Sequence, residues 1–309
     1  MLHEAFYWIL NMSIIATCYG LLLYFLRHLR GIPKTAVYAL WGVVLLRMLC
    51  PISFSSRISL MNILSKLSDR TVVKTIPVED LSLSLSNVVQ GAVSYQPIVY
   101  KSGVLERFFT VASVIWIIVA MAGISSTLIL YGLTMSELKK AVNLRDNLYE
   151  GAMVSSPTII GILHPRIILP VGIDHNNLEY ILLHERVHER RRDNLWRMLA
   201  ILAACLHWFN PLSWVFLKLF LNDCELACDE GVVKRLEPVK RKEYARTLLS
   251  YSDADRTIFS SAFGSKKVKL RVMQVLSYRR LTCFSLFSFS LLVISVAVLL
   301  LTNGVAWRG

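Results

Sequence analysis

The sequence predicts a mainly α-helical integral membrane protein, with four transmembrane helices and a cytoplasmic α+β domain inserted between the third and the fourth. Three observations carry this expectation. Hydrophobic residues make up 55% of the 309 and charged residues 18%, with a mean hydropathy of +0.51. That is too apolar to cover the surface of a soluble protein of this size. Apolar runs recur at about 20 residues, the length that crosses a hydrocarbon core. One long block of ordinary mixed composition lies between the third and fourth runs.

The first run, Ala5–Leu26, is uncharged, and the chain ahead of it lacks a basic leader and a small-residue cleavage site. It therefore reads as a retained span. Thr35–Phe54 is the second span, interrupted near its end by Arg47, which is expected to snorkel to the headgroups. Phe108–Leu133 is the third and Leu281–Trp307 the fourth. The net charge of +13 would suit nucleic acid in a soluble protein. Here Arg27, His28, Arg30 and Lys34 crowd one end of the spans, as do Lys139, Lys140, Arg279 and Arg280. Such clusters read as cytoplasmic anchors facing anionic lipid, so the bilayer is the expected partner and direct nucleic-acid binding is not. The resulting layout is spans 1 and 2 in 1–54, an outer loop in 55–107, span 3 in 108–133, a cytoplasmic domain in 134–280, and span 4 with a short outer tail in 281–309. Both termini then lie outside. Leu60–Leu67 in the outer loop has the character of an interfacial helix. The six cysteines form no extracellular disulfide pattern.

Within the domain, Thr158–Ile160 and Arg166–Leu169 read as strands joined through Gly161 and the His164-Pro165 turn. Asn176 and Asn177 lead into a helix carrying His184-Glu185-Arg186-Val187-His188. This is H-E-x-x-H. Residues four apart share one helix face, so two imidazoles can hold one Zn²⁺. Glu185, beside the first ligand, is the candidate catalytic base. The bland reading is a solvated helix with two surface histidines, but Leu182, Leu183 and Val187 give it a buried face. Downstream, Glu225 and Asp229 stand one turn apart. Glu225 can complete a His₂Glu set, and Asp229 can accept the free ring N–H of a ligand histidine. Cys224 and Cys228 offer a competing Cys₂His₂ structural site. The apolar Leu195–Leu221 is broken at Asn210-Pro211, which suggests a helix pair embedded in the inner leaflet.

These pieces, with Pro157, Pro170, the stretch Arg191–Asn194 and His207-Trp208-Phe209-Asn210-Pro211, resemble the BlaR/MecR family of membrane-bound antirepressor metallopeptidases. The resemblance implies a gluzincin-like fold and zinc as cofactor. It makes His184, His188 and Glu225 the metal ligands, Glu185 catalytic and Asp229 a supporting residue behind them. It implies cleavage of a cytoplasmic protein substrate, a winged-helix repressor in that family, in signal transduction. Self-association into a homodimer stays open. Self-cleavage would fall near Ser260–Arg280. The sequence stops at Gly309 without the β-lactam sensor domain that some members carry, so either a truncated sensor or a member of a branch without that domain is expected. The alternatives are a quality-control protease of the HtpX/Ste24 type and a non-catalytic transducer held together by zinc. Strand Arg166–Leu169 is the expected docking edge for substrate. His164, Tyr244 and Arg241 are the candidates for stabilising the oxyanion.

Overall fold

The computed structural model describes residues 2–29, 32–50, 54–55, 103–138, 140–152, 154, 156–173, 175–254, 261–278, 291, 294–295 and 302–303. Helix α1 is Leu2–Leu26 and α2 is Lys34–Leu49. Helix α3 is Gly103–Leu138. Among the described residues, two helices, α1 and the Phe108–Leu138 part of α3, are long and apolar enough to cross a membrane. Helix α3 leaves Phe108, Val111, Ile118, Ile129, Leu130 and Leu133 exposed. An uncovered apolar surface of that extent suits a hydrocarbon solvent and not water. The second run ends sooner than its composition suggests, at Leu49, because Cys50 precedes Pro51 and takes an extended conformation. Phe54–Ser55 is instead a short strand, β1, paired in parallel with β6, Thr302–Asn303. The last apolar run thus ends in a strand where a helix was expected, and most of its remainder lies outside the described residues, as do 56–102 and the helix expected at Leu60–Leu67.

The mixed-composition block supplies a four-stranded sheet in the order β2-β3-β5-β4. The two expected strands are β4, Thr158–Ile160, and β5, Arg166–Leu169, paired antiparallel. The sequence did not reveal β2, Val142–Arg145, or β3, Leu148–Glu150. They are too short for a period to register, and β2 is exposed along its whole length. Because β3 pairs with β5, strand β5 is central and cannot be a docking edge. Gly161 makes the β4–β5 turn at φ +105°, where a Cβ would stand 2.5 Å from the carbonyl oxygen of His164.

Helix α4 is His175–Arg191, α5 is Asp193–Leu206 and α6 is Pro211–Val233. Helices α7, Lys240–Ala254, and α8, Ser261–Ser277, follow. Arg192, left-handed at φ 54°, breaks α4 from α5. Asn210 caps α6 by accepting from Leu212 N–H, and Pro211 starts it. The α5–α6 hairpin runs deep along the apolar helices. At its tip Asn210 donates to Ser13 and Thr17 of α1, at 2.9 and 2.8 Å. His207 lies 3.0 Å from the carbonyl of Met48, at the far end of α2. Trp116 of α3 donates to the Leu206 carbonyl. The hairpin therefore reaches along nearly the full length of α2, further than a pair resting at one end of the bundle. Arg47 does not snorkel. It is 3% exposed, packed in the bundle near Tyr19.

Helix α1 meets α6 at Gly20, where a Cβ would fall 2.2 Å from the buried Phe216 ring. Gly20→Ala should lower folding stability by about 1–3 kcal/mol through this overpacking, and Phe216→Leu in the same chain should recover much of it. Thermal unfolding in detergent checks both.

Candidate metal centre

Helix α4 carries His184 and His188 one turn apart, and α6 brings Glu225 opposite them. The turn at Asn210-Pro211 folds α6 back beside α4, and Gly231 keeps the crossing close against Val187. The Nε2 atoms of His184 and His188 are 3.1 Å apart. Glu225 places Oε2 at 3.5 Å from His184 Nε2 and Oε1 at 3.6 Å from His188 Nε2. Two ligands on a tetrahedral ion at about 2.0–2.1 Å stand roughly 3.3 Å from each other. The three donor atoms therefore have the spacing of one zinc shell. Both imidazoles are buried, while the Glu225 side chain is 32% exposed and leaves an approach from solvent.

Each ring is held from behind. His188 Nδ1 lies 2.5 Å from Asp193 Oδ2. His184 Nδ1 lies 2.9 Å from the Tyr244 hydroxyl, which donates to Asp229 Oδ1 at 2.6 Å. Asp229 is also 3.4 Å from that ring nitrogen and takes a forked grip from Arg271, at 2.7 and 2.8 Å. With Nδ1 engaged on both rings, Nε2 is the atom turned to the centre.

The electrostatics favour a cation there. Burial opposes the ionised form of Glu225, but His188, both imidazole hydrogen bonds and Arg271 outweigh it and hold the carboxyl well below its usual range. Burial also opposes protonation of the rings, yet Cys228 and Glu225 push His184 up to about 10, and Cys228, Glu225 and Asp193 raise His188 well above its usual value. Two imidazolium N–H groups cannot face each other at 3.1 Å. A single divalent ion answers the same field. Burial raises the carboxyl of Glu185 against the pull of His184 and His188. Glu185 is 7% exposed, on the same helix as both imidazoles and next in sequence to His184.

Two other donor triads are close together, His184–His188–Cys228 and His188–Asp193–Cys224. Neither matches a Cys₂His₂ site. The Cys228 thiol is 3.5 Å from His184 Nδ1, the ring edge that Tyr244 and Asp229 occupy. Arg191 already engages Asp193 at 2.9 Å and lies 3.6 Å from the Cys224 sulfur. The His₂Glu set joins both Nε2 atoms to a part-exposed carboxylate.

Other expectations shift. The Tyr244 hydroxyl lies on the Nδ1 edge of His184 and donates to Asp229. His164 is exposed in the β4–β5 turn, and Arg241 is spent on the ring and carbonyl of Tyr278. The cations near the ligands are Arg197, 2.6 Å from Glu225 Oε1, and Arg271, 3.6 Å from Glu225 Oε2 and 3.5 Å from His184 Nε2. Neither arginine carries a local sign in the sequence, nor does Asp193 as the partner of His188. Helix α8 fills most of the stretch expected to be cleaved, with Val275 buried and Arg271 bound to Asp229, so that part is not in the extended form a protease needs. The strand edge beside α4 and the metal centre belongs to β4, where Asn194 donates to the carbonyls of Ile159 and Gly161.

The model of the BlaR1 peptidase M56 family matches residues 7–275. The regulatory protein BlaR1 of Bacillus licheniformis is 30% identical over 136 residues, 41% of this chain and 23% of that protein. The methicillin resistance MecR1 protein of Staphylococcus aureus is 29% identical over 103 residues, 32% of this chain and 18% of its own length. The BlaR1 of Staphylococcus aureus is 28% identical over 98 residues, 30% of this chain and 17% of its own. The chain thus spans about a fifth of the length of these relatives.

Asp193→Asn should leave the fold in place and weaken zinc binding by roughly 10–100-fold, because His188 loses the carboxylate that fixes its ring. Competition against a chelator of known affinity measures it.

Proposed function

Since the chain belongs to the BlaR1 peptidase M56 family, we propose that it is a membrane-anchored zinc metalloendopeptidase that cleaves a cytoplasmic protein, a transcriptional repressor, in signal transduction. The observation that carries this is the convergence of His184 Nε2, His188 Nε2 and the Glu225 carboxylate at 3.1–3.6 Å, with Glu185 next to His184 along the same helix. Relatives described as a regulatory protein and a methicillin resistance protein support the signalling role.

The donor set of two imidazoles and a carboxylate fits zinc in a site with one position left for water or substrate. Bound there, zinc would supply Lewis acidity, polarising the peptide carbonyl and acidifying a water. Glu185 would accept a proton from the attacking water at its carboxylate and pass it to the departing amine. Asp193, Asp229 and Tyr244 keep both rings turned inward. Arg271, fixed by Asp229, brings positive charge near the point where negative charge develops on the carbonyl oxygen. An extended substrate would add to the sheet at β4, the edge nearest the site.

The basic α1–α2 turn supports a cytoplasmic site. Arg27 of that turn binds Asp223 at 2.8 Å, two residues before Glu225. The metal centre therefore shares the basic end of the helical bundle, the end that the positive-inside rule assigns to the cytosol. The α5–α6 hairpin, apolar and sunk between α1, α2 and α3, would then lie within the membrane with the site at its inner mouth.

Glu185→Ala should keep zinc and lose cleavage of a co-expressed repressor by at least about 10²-fold, the scale of a lost general base. Product mapping by mass spectrometry reads the result. Undiminished cleavage would assign the chemistry elsewhere, and loss of zinc would make Glu185 structural.

A further inference from the structure

Helix α2 lies far from the H-E-x-x-H helix in sequence, yet one of its side chains ends at the metal centre. The Tyr38 hydroxyl donates to Asp193 Oδ1 at 2.7 Å, across 155 residues of chain. The other oxygen of the same carboxylate, Oδ2, is the one 2.5 Å from His188 Nδ1. Asp193 is completely buried. A carboxylate is a rigid plane, so a donor on one oxygen fixes the direction of the other. Arg191 completes the cage, with its guanidinium 4.3 Å above the Tyr38 ring and its Nε 3.1 Å from Asp193 Oδ1. On its other side the Tyr38 ring stacks on Phe220 of α6, at 5.6 Å. Tyr38 thus touches the helix that carries Glu225 and, through one hydrogen-bonded carboxylate, the helix that carries His188.

We propose that Tyr38 is a positioning residue of the metal centre, acting from α2 through Asp193 on the orientation of His188. The proposal rests on the metal-centre reading above. Its consequence is that the position of α2 is coupled to metal affinity. Helix α2 is held to the α5–α6 hairpin at both ends, by Glu230 accepting from Thr35 N–H at 2.9 Å and by the His207 contact to Met48. A shift of α2 along or about its axis therefore carries Tyr38 with it. A hydrogen bond of 2.7 Å does not survive a displacement of about an ångström.

The test uses the full chain in lipid nanodiscs, with zinc binding read by chelator competition and folding read by thermal unfolding of the metal-free protein. Tyr38→Phe keeps the ring, its stacking on Phe220 and its contact with Arg191, and removes only the donor. It should weaken zinc binding by about tenfold, the low end of what partners behind a ligand give, and leave the metal-free unfolding temperature unchanged. Placed on top of Asp193→Asn, the same change should cost less than about twofold more, because the two act through one path. Unchanged zinc affinity in Tyr38→Phe, or a loss that multiplies in full with that of Asp193→Asn, would overturn the proposal. A parent chain that binds no zinc would overturn the proposed function itself, before any variant is compared.

Discussion

The closing of α6 onto α4 is the contact on which everything else in the domain depends. It brings the Glu225 carboxylate to two buried imidazoles and Asp229 behind one of them, while Asp193 backs the other. Buried carboxylates are costly unless each is met by a donor or a cation. Here Arg191 meets Asp193, Arg197 meets Glu225 and Arg271 meets Asp229. Each arginine comes from a different helix, α4, α5 or α8, so electrostatic compensation also staples the domain together.

The apolar half of the molecule makes that closing possible. Helices α5 and α6 can lie side by side because a capped Asn210 and a starting Pro211 reverse the chain within a few residues. The pair is then clamped between α1, α2 and α3 by contacts that alternate small and large side chains, as at Gly20 against Phe216 and Gly123 against Cys205. Polar ties sit at both ends of the clamp. Arg27 and Trp41 both bind Asp223 near the metal centre, and Asn210 binds Ser13 and Thr17 at the tip. The candidate metal centre is therefore built against the apolar helices, which is how a residue as remote as Tyr38 reaches it through Asp193.

Much of this was legible in the sequence because it is local. H-E-x-x-H places two rings by helical period alone, and Glu225 with Asp229 does the same on α6. The Asn210-Pro211 break, the β4–β5 pair and the first and third apolar helices also rest on short-range rules. What stayed hidden depends on distance in sequence. Asp193 is ordinary until the left-handed turn at Arg192 aims it back at His188. Arg271 is one cation on an amphipathic helix, and only the packing of α8 on α6 gives it Asp229. Arg47 looked like a headgroup anchor because a single helix offers it no other partner, whereas the bundle encloses it. Strand β5 looked like an edge because the sequence did not disclose β3, its neighbour on the other side.

The most direct measurement of the central claim is X-ray absorption spectroscopy on the zinc-loaded chain. The account predicts a shell of nitrogen and oxygen alone, two imidazoles and a carboxylate with one further light atom, at about 2.0–2.1 Å. Sulfur scattering at about 2.3 Å would instead place Cys224 or Cys228 on the metal and contradict the His₂Glu centre on which the hydrolytic reading stands.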